Sequence, residues 1–489
     1  MVKRKLVGAI SIVALLAACS GGGSSGQIST AGGSTSSLTP TPTSSPAPTP
    51  TPTPATCSLR DRQNWAFAQL QEWYLFPETL PASLDPTPYS TIDSYIDALT
   101  ATARSQSKDR FFTYLTSIAS ENAYYNSGSS AGFGFRLALD QTGTRLFITE
   151  SFEGTPALTA GVDRGAEILA IGTTSSNLQT VSSIIATGGT NALNDALGPS
   201  TAGTTRYFQV RDASGTRTVS IAKADFTLTP VSSRYGAQVI NDGGRKVGYV
   251  NLRTFINTAE TPLRQAFANF RAQGITDVII DLRYNGGGLV SIAELFGNLL
   301  GGNRTAANVF SYTAFRASKS SNDETTYFAP QPESIAPTRI AFIGMGGTAS
   351  ASELLINAFT PYLHSNSALI GTNTYGKPVG QIAIDRSACD DRLRVVAFAT
   401  QNSARQGAYY MGLANYVEAS CRASDDIGYP LGDPREASTR QALNFLAGQS
   451  CTAIASGGQT SQSLSTSAPR MLLSPERPNT AQREVPGLY

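Results

Sequence analysis

Histidine is nearly absent: His364 is the only one in 489 residues. Chemistry that needs an imidazole must use that residue or do without. Cysteine is also sparse. The five cysteines show no C-x-x-C and no H-x-x-x-H spacing, so neither a zinc site nor any other metal or cofactor is expected. No charge sign dominates, with 37 basic and 35 acidic side chains and a net charge of +2. That excludes the basic field that nucleic-acid binding requires, and there is no polyacidic tail. The apolar run Leu6–Ala18 has 13 residues, too few to cross a bilayer. What is present is a hydrophobic fraction of 40%, enough for a real core across two or three domains.

The amino terminus reads as an address. Lys3, Arg4 and Lys5 precede the apolar run, and "LAAC" closes it at Cys19. Residues 1–18 therefore read as a signal peptide. The cysteine at the cleavage point resembles the bacterial lipobox, in which it is lipidated; a plain secretory signal with a chance cysteine is the alternative. Ser20 in place of an aspartate resembles Gram-negative lipoproteins of the outer membrane. Stable anchoring takes more than one acyl chain. Residues 19–56 are Gly, Ser, Thr and Pro, which cannot bury a core and read as an extended stalk. An exported chain meets an oxidising compartment, so the other four cysteines are expected in two disulfides. Three pairings exist; Cys389–Cys421 and Cys57–Cys451 are expected, the second tying the two ends together.

The rest divides by periodicity. Residues 57–126 read as helical, with Trp65, Phe67, Leu70, Trp73 and Leu75 on one face as core. Residues 127–230 change to strand alternation in "GFGFRLALD" and "RLFITESF", and "TRYFQVRDASGTRTVSIAKADF" reads as a hairpin turning at Ser214-Gly215. Residues 231–452 alternate buried strands with helices, the pattern of a layered α/β domain. Residues 453–489 are Ser-, Gln- and Pro-rich and are expected to be a disordered tail. The fold class is α/β in a mixed α+β chain.

Candidate chemistry begins at "GGTASASELL". Ser350-x-x-Glu353 is a capping box ahead of an apolar helix, and this reading needs no catalysis. The serine also follows the buried strand "RIAFIGM", however. A helix N-terminus there presents unpaired N–H groups and a positive dipole end, which suit an oxyanion. "DLRYNGGG" follows another buried strand, and Gly286, Gly287 and Gly288 permit close backbone approach, although a glycine run can also be a simple turn. His364 stands fourteen residues beyond Ser350. Along a straight helix that is roughly 20 Å, beyond hydrogen-bond reach. The remaining base is lysine, which must be neutral and therefore buried. Lys377, in "TYGKPVGQ" after the apolar "ALIG", is the candidate.

"DLRYNGGG", "GGTASASELL" and "TYGKPVGQ", in that order, resemble the carboxyl-terminal processing proteases, or tail-specific proteases. "KDRFFTYLT", "GFGF" and "GTPALTAGVDRGAEILAIGT" extend the resemblance upstream, and in all it covers about Asp61 to Gly448. Pro378 and Ala166 depart from the commoner pattern, and the Ser350-to-Lys377 gap is slightly longer. The resemblance implies a β-sandwich-like PDZ domain over residues 127–230 and a catalytic domain with crotonase-like ββα units. It implies a Ser-Lys peptidase with Ser350 as nucleophile, Lys377 as base and Gln381 positioning the lysine amine. The implied oxyanion donors are the N–H groups of Ala351 and Gly287, with Glu353 in support and Ser352 a helix-turn residue. Gly132, Phe133, Gly134 and Phe135 would bind a substrate's carboxyl terminus. The implied partners are protein or peptide substrates, with the membrane reached through a lipid on Cys19. A different class, a non-catalytic PDZ scaffold lipoprotein, would need no reactive residues, yet Ser350, Lys377 and Gln381 are all retained.

Overall fold

The computed structural model describes residues 57–455 and 471–489. Cys19, the signal peptide and the stalk lie outside the described residues. Among the described residues no helix is long and apolar enough to cross a membrane.

A six-stranded sheet organises the chain from residue 237 onward. Its order is Ala237–Asp242, Arg245–Asn251, Asp277–Asp281, Arg339–Gly344, Ser367–Gly371 and Ser420–Arg422. The first pair is antiparallel and the remaining pairings are parallel. Parallel strands covered on both faces have apolar residues at every position, which explains runs such as "VII" and "IAFI". Val278, Ile280, Ile340, Phe342 and Leu369 point to one face, against helices Glu260–Ala272, Val290–Leu300 and Ala351–Leu363. Ile279, Ala341, Ile343, Ala368 and Ile370 point to the other, under helix Ala437–Leu446. Helix Glu260–Ala272 stops just before Gly274, which takes φ +66°.

This topology decides where the motifs go. "DLRYNGGG", "GGTASASELL" and "TYGKPVGQ" each leave the carboxyl end of one of three adjacent parallel strands. The serine's strand, Arg339–Gly344, is the middle one. Loops beyond the carboxyl ends of such strands are where α/β sheets gather ligands.

A second sheet joins Phe135–Leu139, Leu146–Ser151, Glu167–Gly172, Thr205–Asp212 and Gly215–Ala222 in that order. Its core includes Phe133, Phe135, Ile148, Phe208 and residues of helix Val181–Leu197. The expected hairpin is present, joining strands that end at Asp212 and resume at Gly215. A third sheet carries Val379–Arg386 paired with Asp391–Gln401, and Trp65, Phe67, Trp73 and Leu75 pack against its core only half-buried. In the first helix, Leu59–Trp73, the fully buried positions are Gln63, Ala66 and Leu70, so Leu70 alone of the expected aromatic-rich face is deep core. Residues 57–126 are also not purely helical: Tyr114–Ser117 is a strand paired with Asp391–Arg394.

Two expectations are corrected. The disulfides are Cys57–Cys389 and Cys421–Cys451, not Cys389–Cys421 and Cys57–Cys451. Cys57 precedes a helix packed on the third sheet, and Cys389 sits in the turn between that sheet's two long strands. Cys421 lies in the edge strand of the parallel sheet, which is covered by helix Ala437–Leu446; Cys451 follows that helix. Each bridge is thus local in space although the first closes a span of 332 residues.

The second correction concerns the tail. Residues 471–489 are ordered, and Ala481, Val485, Leu488 and Tyr489 are buried. Met471–Leu472 adds to the free edge of Phe135–Leu139, and Thr480–Glu484 forms a short helix capped by Asn479. Residues 456–470 lie outside the described residues.

Charged side chains join the second sheet to the parallel sheet. Arg164 donates to Asp425, to the Tyr284 hydroxyl and to the Tyr429 carbonyl. Fully buried Arg283 meets Asp281, Asp425 and Glu436. Arg253 donates to Glu150 and Glu153. Removing one member of such a buried group strands its partner, so the interface is held in one arrangement.

Candidate active site

Ser350 caps helix Ala351–Leu363 and is half-buried, with φ +54° and ψ −115°. A non-glycine residue in that region is strained and persists only where its surroundings over-determine it. Here they do. Thr348 Oγ1 donates to the Leu282 carbonyl, Ala349 N–H to the Asn285 carbonyl, and Ser350 N–H to Glu353 Oε2 at 3.1 Å. Ser352, buried on the next turn, donates its hydroxyl to the Asn285 carbonyl at 3.0 Å. The two serines therefore have different fates: Ser352 is tied to the glycine loop and Ser350 faces the strained turn.

Glu353 holds more than the cap. Its buried carboxylate also accepts from Thr374 Oγ1 at 2.6 Å, from Gly376 N–H at 2.7 Å and from Lys377 N–H at 2.7 Å. One oxygen, Oε2, is shared by the backbone N–H groups of Ser350 and Lys377. That single carboxylate fixes the serine turn against the lysine loop. Burial raises its pKa, opposed by these four hydrogen bonds.

Lys377 Nζ donates to Gln381 Oε1 at 2.8 Å and lies 4.9 Å from the Phe112 ring centroid. Gln381 in turn donates through Nε2 to the Phe112 carbonyl. Gln381 thus accepts from the lysine amine while its own amide is held on the Phe112 segment. The residue is half-buried, but its ammonium end is enclosed, and burial holds its pKa below the usual 10.5. Glu484 acts in the opposite direction and Arg483 reinforces the lowering. Ser350 Oγ and Lys377 Nζ are not hydrogen-bonded to each other here; the amine is engaged by Gln381.

The glycine loop lies against the serine. A Cβ on Gly287, whose φ is +122°, would stand 2.8 Å from Ser350 Cβ and 3.2 Å from Ala351 N. Only glycine fits. Gly287 N–H, expected to face an oxyanion, donates instead to Asn285 Oδ1 at 2.9 Å. Asn285 Nδ2 is itself fixed on the Leu252 carbonyl. Ala351 N–H, at the first helical position, meets no acceptor among the described residues, as a helix N-terminus allows. Gly286 N–H donates to the Glu484 carbonyl of the tail at 2.9 Å.

Lys377, Ala349, Gly286, Arg483 and Glu484 line one cavity of about 1220 Å³, which Ser350 does not line. His364 is an exposed cap at the far end of the serine's helix, paired with Glu418, and takes no part. Gly132, Phe133, Gly134 and Phe135 lead into the second sheet, whereas Ser350 follows a strand of the parallel sheet. Both phenylalanines are core, and the N–H groups of Gly134 and Phe135 donate to the Tyr489 carbonyl oxygen. Among the described residues no cluster of three or more His, Cys, Asp or Glu is placed to hold a metal.

Residues 246–405, which contain all three motifs, match the family model for peptidase family S41. This segment is a peptidase family S41 domain. Its curated relatives include carboxyl-terminal-processing peptidase 3 of Arabidopsis thaliana chloroplasts, 28% identical over 262 residues, covering 52% of this chain and 46% of that protein. A carboxyl-terminal-processing protease of Picosynechococcus is 26% identical over 259 residues, covering 51% and 55%. The matched stretch spans about half the length of these relatives. A Bacteroides fragilis crystal structure assigned to the S41 proteases has the same fold, with a TM-score of 0.58, 20% identity and coverage of 78% of this chain and 97% of that one.

Several residues around the S41 site were not legible in the sequence. Arg110 stacks on Tyr375 and donates to the Tyr375 and Gly376 carbonyls, bracing the lysine loop from a segment more than 250 residues upstream. Phe112 covers the lysine amine. Only the resemblance of "KDRFFTYLT" pointed to that segment, and nothing local assigned it a role. Arg483 and Glu484 carried no signal, because their neighbourhood lacks periodicity.

Proposed function

We propose that the chain is a serine endopeptidase that uses Ser350 and Lys377 as a dyad. The observation that carries this reading is the shared Glu353 oxygen, which ties the nucleophile's turn to the base's loop. Neutral Lys377 takes the proton from Ser350 Oγ as the oxygen attacks the scissile carbonyl. Ala351 N–H stabilises the resulting oxyanion, joined by Gly287 N–H once Asn285 releases it. The lysine ammonium passes its proton to the leaving amine, and the C–N bond breaks to leave an ester on Ser350. Water, deprotonated by the same lysine, then hydrolyses the ester. The lowered lysine pKa supports this role, since only the neutral amine can act as base.

Residues 127–230 act as a PDZ domain that captures a substrate's carboxyl terminus through Gly132–Phe135 and the adjacent strand edge. The substrates are envelope proteins or peptides, and the enzyme is held at the outer membrane by lipid on Cys19 and the 20–56 stalk. A casein or tagged-peptide assay tests the chemistry. Ser350→Ala and Lys377→Ala are expected to lose about 10³-fold or more, while Ser352→Ala stays active. Full activity in Ser350→Ala, or an inert wild type across varied peptides, would overturn the dyad. Palmitate labelling lost in Cys19→Ala would support the anchor, and labelling retained would refute it.

A further inference from the structure

The segment that ends in Tyr489 fills the groove expected for substrate tails. Tyr489 N–H donates to the Phe135 carbonyl at 3.0 Å, and the Tyr489 carbonyl oxygen accepts from Gly134 N–H at 2.8 Å and Phe135 N–H at 3.4 Å. Leu488 stands opposite Arg136 in an antiparallel bridge, and Leu137 N–H donates to the Gly487 carbonyl at 2.8 Å. Gly487 has φ +86°, and a Cβ there would meet the Leu137 carbonyl at 2.9 Å, so this approach depends on glycine. Backbone pairing at a strand edge, with two adjacent N–H groups on one carbonyl, is the geometry of peptide capture by strand addition.

The side chain is read as well as the backbone. Tyr489 is buried with Phe133, Phe135, Phe208, Leu193 and Leu197. Its hydroxyl donates at 2.5 Å to Oδ1 of Asn194, a half-buried residue of helix Val181–Leu197. A buried phenol without that acceptor would carry an unpaired hydroxyl, which costs about 1–3 kcal/mol. Upstream, the same segment crosses the glycine loop. The Glu484 carbonyl accepts from Gly286 N–H, a Cβ on Gly286 would stand 2.2 Å from the Arg483 carbonyl, and Arg483 donates to the Phe111 carbonyl.

We propose that Val485–Tyr489 is a resident peptide ligand of this groove, that Asn194 makes the pocket selective for tyrosine at the position of Tyr489, and that incoming tails must displace it. This rests on the reading of residues 127–230 as a peptide-binding domain.

The test uses fluorescein-labelled Arg-Glu-Val-Pro-Gly-Leu-Tyr with a free carboxylate, and versions ending in Phe or Ala. Binding is followed by anisotropy to the wild-type chain, to Tyr489→Asp and to a chain lacking residues 485–489. Both altered chains are expected to bind the tyrosine peptide at least about tenfold more tightly than wild type, because the competitor is weakened or gone. On the shortened chain the tyrosine peptide should exceed the phenylalanine peptide several-fold, and Asn194→Ala should erase that difference. Equal binding by wild-type and altered chains would overturn the resident ligand. So would a shortened chain that captures unrelated carboxyl-terminal peptides but not this one, and the peptide-binding reading would then survive. A folded shortened chain that binds no carboxyl-terminal peptide would sink both. Should the altered chains not fold, hydrogen exchange on the wild type decides. Excess peptide should speed exchange at Leu488 and Tyr489, and unchanged exchange would refute displacement.

Discussion

Two glycine loops, one on each main sheet, hand backbone N–H groups to the same tail segment. Gly134 donates to Tyr489 and Gly286 to Glu484, yet the loops are built differently. The Asn285–Gly288 loop is fastened by side chains of its own sheet: Asn285 to Leu252, Ser352 to Asn285, and Gly287 pressed on Ser350. The Gly132–Phe135 loop anchors its phenylalanines in the core, and its free N–H groups are satisfied by a segment from the far end of the chain. One loop is held mainly by its own surroundings, and the other is completed by a segment distant in sequence.

The sharpest way to break this contrast is at Glu353, which holds only the reactive side. Glu353→Ala strands the N–H groups of Ser350, Gly376 and Lys377, at about 1–3 kcal/mol for each buried donor left unpaired. We expect activity near background and a clear fall in Tm, with binding of carboxyl-terminal peptides kept by whatever fraction folds. Retained turnover would show that the carboxylate is only a helix cap.

The two glycines give the next largest effect. Gly287→Ala puts a methyl 2.8 Å from Ser350 Cβ at a positive φ, and a displacement on the ångström scale costs about 10²-fold in rate. Gly134→Ala puts a methyl 2.1 Å from Thr155 Cβ, at φ +81°. It should weaken peptide capture while leaving cleavage of a short substrate, with no tail to dock, comparatively intact. If both variants lose the same activity, the loops do not divide the work.

Lys377→Met removes the proposed base and should also stabilise the fold at neutral pH. Burial holds the lysine below 10.5, so folding with the charged amine is penalised. That penalty is full below the depressed folded pKa and vanishes as pH rises through 10.5. The gain in Tm for Lys377→Met should therefore be present at pH 7 and shrink towards pH 10.5, while wild-type activity climbs as pH rises through the lowered lysine pKa. A gain independent of pH would mean packing, not charge, explains it.

The smallest effect belongs to Ser352→Ala. One hydrogen bond is lost, but the Asn285 carbonyl keeps Ala349 N–H, so a cost of about 1 kcal/mol and nearly full activity are expected. Inactivation of this variant with a normal Tm would reopen the choice between the two serines.

The sequence by itself determined the buried strands of the parallel sheet and the helix start at Ser350, and it singled out Ser350 and Lys377 as candidates. Apolar runs such as "DVIID" and "RIAFIG" can only be strands covered on both faces, and the capping pattern puts Ser350 at a helix start. His364, the one histidine, stands fourteen residues beyond Ser350, which leaves lysine as the candidate base. These are local signals, carried by periodicity and neighbours within a few residues. Tertiary structure alone decided the rest. Pairing Cys57 with Cys389 depends on a helix packing on a sheet more than 300 residues away. Phe112 and Arg110 meet the lysine loop only because Tyr114–Ser117 pairs with Asp391–Arg394. The burial of the tail is tertiary for the same reason. Ala481, Val485, Leu488 and Tyr489 are too widely spaced among Pro and Gly to mark a core, and they are buried only because another part of the chain offers a pocket and an unpaired strand edge. Burial of that kind is a property of the surface that receives the segment, and the segment's own sequence does not encode it.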